Sequence, residues 1–62
     1  MTKGIYIHTK SGVPYELLDD KVINKDTEKR MVLYCEFSSP SNWYVSEIQN
    51  FQKNFIFKDG ND

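Results

Sequence analysis

One cysteine, Cys35, and one histidine, His8, are all the soft metal-ligating and redox-active chemistry in these 62 residues. A lone thiol forms no internal disulfide, so the chain points to no oxidising compartment. One Cys and one His fall short of the four ligands that a closed zinc site takes. Glycine and proline are scarce as well, three and two, and no Gly-rich phosphate loop, nucleophile elbow or metal-spaced His/Cys set occurs. No apolar run approaches the roughly 20 residues that cross a bilayer, and Met1 to Ile7 lacks the apolar core of a signal peptide. Asn-x-Ser/Thr acceptors are absent too. The expectation is a cytoplasmic, soluble protein without cofactor, metal or membrane contact. Charge is nearly balanced, eight basic residues against nine acidic for a net charge of −1. The electrostatic footprint of a nonspecific nucleic-acid binder is therefore missing.

What the chain does have is aromatic side chains: four Tyr, four Phe and one Trp, 15% of the residues. At 7.3 kDa and a mean hydropathy of −0.64 there is little other core material. Each ring buries enough apolar surface to argue against disorder. The length allows one domain. A chain of this size buries only about 60% of its unfolded surface, against an ordering cost of roughly 1.5 kcal/mol per residue. No repeats or low-complexity tracts divide it.

Alternation organises the chain into short strands. Ile5, Ile7 and Thr9 alternate with Tyr6, His8 and Lys10 over Gly4 to Lys10, the period of a half-buried strand. Ser11-Gly12-Val13-Pro14 breaks it. A strand resumes at Tyr15 to Leu18, bends or bulges at Asp19-Asp20, and continues or begins its partner over Lys21 to Asn24. Asn24 to Glu28 closes a hairpin. Lys29 to Phe37 is the clearest strand, and its wholly apolar set, Met31, Leu33, Cys35 and Phe37, is assigned inward, with Arg30, Val32, Tyr34 and Glu36 outward. Ser38 to Asn42 reads as a loop around Pro40, and Trp43 to Val45 as a short strand; if that strand is central, a charge at Val45 unfolds the domain. Ser46-Glu47-Ile48-Gln49 fits a capping box, in which Ser46 caps a backbone N–H, opening one or two helical turns before a closing strand at Phe55 to Phe57. Residues 1–58 form the domain, and Asp59 to Asp62 form a disordered tail. Five short strands and one helical turn suit an all-β, small closed barrel, which leaves no unprotected edge. The alternative is an α+β arrangement with Ser46 to Lys53 as a true helix across a curved sheet.

Gly4-x-Tyr6-x-His8-x-Lys10-x-Gly12, then Tyr15, Asp26-Thr27-Glu28, Val32 and Tyr34, and an aromatic-Val pair seven residues before Phe51 together resemble domain of unknown function 1653, a family of small bacterial and phage proteins. The resemblance runs from Gly4 to Phe55 and implies an SH3-like barrel, with no established activity. Where the family has aromatic-Val-Arg-Pro, this chain has Tyr44-Val45-Ser46-Glu47, which removes an anion-pairing group and a rigid turn. The family's Gly after its first Lys is displaced to Gly12.

Five residues are candidates for a binding site: Tyr6, His8, Lys10, Tyr34 and Trp43. Tyr6, His8 and Lys10 share a strand face that either binds a phosphate or peptide carboxylate or is simply the solvated side of a sheet. A Tyr6–Tyr34 cluster beside His8 makes a platform for a flat ring. Adjacent strand residues point to opposite faces, so Trp43 or Tyr44 lies outward or at a rim. Trp43 is taken as the exposed anchor, since Tyr44 holds the family's aromatic position. Asp19 and Asp20 diverge on an extended chain, and Cys35 reads as a small buried hydrophobe without a base. No catalytic constellation results, and an enzyme is not expected. The leading reading is a non-catalytic module that binds a protein partner stoichiometrically. An oligomer that sequesters a nucleotide-like ligand through Tyr6, His8, Lys10 and Tyr34 is the alternative. Single-stranded nucleic-acid binding requires Lys3, Lys10, Lys21 and Lys53 to converge, against the acidic residues between them. Phe55-Ile56-Phe57 offers a strand for homodimer pairing across a two-fold axis.

Overall fold

The computed structural model describes residues 1–59. It contains β1 (Gly4–His8), β2 (Pro14–Asn24), β3 (Lys29–Glu36), β4 (Ser39–Glu47), a short helix α1 (Ile48–Asn54) and β5 (Phe55–Asp59). The strands form one antiparallel sheet in the order β4-β3-β2-β1-β5. The fold is all-β with a single helical interruption, as the alternation implies. No helix among the described residues is long and apolar enough to cross a membrane.

Local chemistry sets the elements. Gly12, at φ +75°, turns the chain between β1 and β2, and its N–H donates to the His8 carbonyl at 2.8 Å; a side chain there pays for a left-handed backbone. The next hairpin rests on Asn24, whose Oδ1 accepts from the N–H groups of Asp26 and Thr27 at 2.9 and 3.3 Å, an Asx turn. Glu28 completes it at φ 60°. The expected irregularity at Asp19-Asp20 is present, because the β2–β3 register shifts between Leu17 and Asp19 and again before Val22.

Four boundaries differ from expectation. β1 ends at His8, and Thr9 to Ser11 belong to the turn. The loop assigned to Ser38 to Asn42 is mostly strand: β4 starts at Ser39 and runs nine residues through Pro40. Pro40 is tolerated there because β4 is an edge, where a missing N–H breaks no ladder. The Ser46 capping box does not form. Glu47 is the N-cap residue, with no side-chain cap bond, while the Ser46 hydroxyl donates to the Glu47 carbonyl at 3.3 Å. Asp59 was assigned to the tail but ends β5 opposite Ile5; residues 60–62 lie outside the described residues.

The largest correction concerns the direction β3 faces. The core is Tyr6, Leu17, Val32 and Phe51, with Met1, Tyr34, Ile48 and Phe55 packed against it. Val32 is 0% exposed and Phe37 is 58% exposed. The inner face thus carries Val32 and Tyr34, and Met31, Leu33, Cys35 and Phe37 belong to the opposite parity, where Cys35 alone is buried, as expected of it. Both parities of β3 hold apolar side chains, so a period of two does not choose between them. The choice is made by α1, which drops Phe51 onto the Tyr6/Tyr34 side at ring-centroid distances of 5.3 and 5.0 Å. Phe51 also stacks on Phe55 at 4.1 Å and 7°. Val45, on an edge strand, is 55% exposed, so it is not the central position that the sequence reading considered.

Candidate functional site

Register assigns side chains to the two faces. Gly4, Leu17, Tyr34 and Tyr44 form one cross-strand row, and Ile5, Glu16, Cys35 and Trp43 form the next. Neighbouring rows point to opposite sides of a sheet. The first row lies on the inner face with Phe51, and the second on the outer face.

The inner face ends in a run of aromatic rings. Tyr15 meets Tyr34 at 5.5 Å and Tyr44 at 6.5 Å, and Tyr34 meets Tyr44 at 5.7 Å. Phe55 fills the middle, 5.2 Å from Tyr15 and 5.0 Å from His8. These tilted and edge-on contacts match the geometry that ring quadrupoles favour. Burial raises the Tyr15 phenol pKa, with the Glu36 and Tyr44 charges adding to it. Burial also raises Tyr34, with further contributions from Tyr15 and Tyr44. Both phenols are therefore neutral hydrogen-bonding groups at physiological pH.

The five sequence-derived candidates are not gathered on one surface. Tyr6 is buried, its hydroxyl donating to the Thr2 carbonyl at 2.6 Å. Phe51 lies between Tyr6 and Tyr34, touching both rings. His8 is half-buried at the end of β1, where its Nδ1 lies 3.0 Å from the Ser11 hydroxyl and accepts from the Ser11 N–H at 3.3 Å. Lys10 is exposed in the β1–β2 turn. Tyr34 is half-buried among the rings, and Trp43 stands alone on the outer face. Sequence reasoning left Tyr15 and Phe55 out of the candidate site and set Tyr44 aside in favour of Trp43, whereas both Trp43 and Tyr44 are exposed. The 15/17 alternation across from Tyr6 was the available signal for Tyr15.

Trp43 is 64% exposed, yet its ring is held in place: the indole N–H donates to the Pro40 carbonyl at 2.9 Å. The only polar atom of the side chain is thereby satisfied, and what faces solvent is apolar. Val45 projects from the same face two residues on, and Phe37 is exposed at the β3–β4 turn. An open groove of about 530 Å³ crosses the outer face nearby, with Ile5, Leu18 and Phe37 among its walls.

Other groups have local partners. Cys35 is buried, and desolvation, followed by the Glu16 charge, pushes its thiol pKa up, away from the thiolate a nucleophile needs. The acidic pair diverges: Asp19 accepts from the Lys21 N–H at 2.7 Å, whereas Asp20 pairs with the N-terminal ammonium. That hydrogen bond is the main reason the Asp20 carboxyl sits below its ordinary value. Among the described residues no group of three or more His, Cys, Asp or Glu is placed to hold a metal ion. No family model, curated protein or solved structure matches this chain.

Proposed function

We propose that the chain is a small non-catalytic binding module of bacterial or phage type that acts stoichiometrically on a protein partner, docked through Trp43 and its neighbours on β4. The observation that carries this reading is the preorganised exposed indole, 64% accessible with its N–H already bonded to the Pro40 carbonyl. A tryptophan fixed before binding loses little side-chain entropy on docking and asks no polar group of its partner. The order β4-β3-β2-β1-β5, with a helical turn just before β5 returns to β1, supports an SH3-like barrel, left open between the β4 and β5 edges, of the kind the resemblance to domain of unknown function 1653 implies.

The test is affinity capture from bacterial lysate with the wild type and Trp43→Ala, quantified by mass spectrometry. Trp43→Ala is expected to melt within about 0.5 kcal/mol of the wild type, as exposed substitutions do. Its recovery of the specific partner is expected to fall roughly thirtyfold, the effect of losing a hot spot of about 2 kcal/mol. Equal recovery by the two proteins contradicts the assignment.

A further inference from the structure

We propose that the partner of β4 is a second copy of this chain, paired antiparallel through the β4 edge about a two-fold axis at Tyr44. The inference rests on the reading of β4 as a docking strand and names its occupant. Among the described residues β4 pairs only with β3, so its other edge carries unpaired backbone groups. Natural edge strands are usually blunted by charge, proline or a bulge. In β4 those devices stand at the two ends: Pro40 with the register shift before Cys35–Trp43 at one end, and Glu47, paired with Lys29 at 3.7 Å, at the other. Between them, Ser41 to Ser46 contains no charge at all. The opposite edge, β5, also exposes Ile56 and Phe57, but it is only five residues long and two of those are the charged Lys58 and Asp59.

Exposure on β4 falls on both faces of the sheet. Trp43 and Val45 are open on the outer face, and Tyr44 is 41% exposed on the inner one. A partner laid against one face covers only one of these sets. A strand added at the edge covers both, because its side chains flank the β4 side chains above and below the sheet. The β4 sequence is complementary to itself in this arrangement. With Tyr44 opposite its own copy, Trp43 stands opposite Val45, Val45 opposite Trp43, and Asn42 opposite Ser46. The most exposed ring thus meets an exposed β-branched side chain twice, a favourable cross-strand pair. Any directly opposed residue pair in an antiparallel ladder admits such an axis, so the register needs no distortion. The rings of Trp43 and Tyr44 expose about 200 Å² per copy, taking roughly 200 Å² for each fully accessible ring side chain. With Val45 and the backbone added, the contact belongs at the small end of the interface scale, and the dimer is reversible.

Sedimentation equilibrium of the full chain, from about 10 µM to about 1 mM, the range suited to such an interface, is expected to show mass rising toward twice 7.3 kDa. Emission from the only tryptophan is expected to shift to the blue over the same range. Tyr44→Lys and Tyr44→Glu each place like charges opposite one another and are expected to weaken association roughly tenfold or more; mixing the two in equal amounts restores it. If either variant lacks a cooperative melt, Val45→Lys and Trp43→Glu, at positions more than half exposed, each lose the Trp–Val pairs alone, and their mixture is expected to associate more tightly than either because one Lys then faces one Glu. A monomeric wild type, a mixture that fails to recover, or dissociation by Ile56→Lys on β5 overturns the proposal. A monomer whose partner capture still depends on Trp43 overturns the self-pairing and leaves the docking strand standing; a dimer indifferent to Trp43→Ala in capture does the reverse.

Discussion

Tyr6, Tyr15 and Tyr34 tie the aromatic interior to solution conditions. Desolvation is the largest cause of the raised pKa of each; Asp20 contributes at Tyr6, Glu36 and Tyr44 at Tyr15, and Tyr15 and Tyr44 at Tyr34. A phenol whose folded pKa lies above its unfolded one favours the folded state while it is neutral. That contribution is fully present below the ordinary value of 10.0 and is lost as pH rises from there through the raised folded values. Stability is therefore expected to decline from about pH 10 upward, with tyrosinate absorbance and loss of near-ultraviolet circular dichroism rising together. Ionisation of Tyr6, Tyr15 and Tyr34 near pH 10 with the aromatic dichroism intact contradicts this picture. The individual groups were unevenly legible in the sequence. Cys35 is buried and Trp43 exposed, as expected, but the first expectation rested on a β3 face that proves to be the outer one, and the second on the family resemblance, since alternation alone leaves Trp43 and Tyr44 open. The burial of Tyr6 depends on Phe51 arriving from 45 residues away, and no local pattern records that.

Turns and element order were the readable level. Gly12 and the Asn24 to Glu28 segment carry their turn chemistry in residue type, and the bulge at Asp19-Asp20 follows from two adjacent carboxylates inside an apolar stretch. The two turns make the same left-handed demand on the backbone, met by glycine in one and by glutamate in the other. At Gly12 an added Cβ meets nothing within 4 Å, so Gly12→Ala isolates the cost of φ +75°, about 1 kcal/mol, or roughly 4–8 °C in Tm for a domain this small. Glu28 sits at φ 60° without being glycine, so Glu28→Gly is expected to raise Tm. Thermal melts of the two variants check both signs, and a stabilising Gly12→Ala contradicts the turn assignment. The elements misjudged from sequence depend on neighbours. Pro40 looks like a loop residue until β4 is known to be an edge. Ser46 looks like a helix cap until Glu47 is seen to occupy that position, still in extended geometry at φ −61° and ψ 141°.

At the scale of the whole molecule, a single sheet has two apolar faces and one short helix to cover them. α1 and Phe51 cover one, and on the other Cys35 of β3 is buried while Trp43 and Val45 of β4 stand open. Alternation revealed the strands but did not reveal which face was inside, because β3 is apolar on both. A 62-residue chain has only about 3–5 kcal/mol of stability to lose, which makes the division of faces measurable with one charge on each. Val32 and Val45 lie on neighbouring strands, the first fully buried and the second more than half open. The most direct test compares melting of Val32→Asp and Val45→Asp in dilute solution, where only the monomer fold is read. Val32→Asp is expected to abolish the cooperative transition, since an unpaired buried charge costs several kcal/mol, while Val45→Asp melts within about 1 kcal/mol of the wild type. A folded Val32→Asp beside an unfolded Val45→Asp contradicts the account.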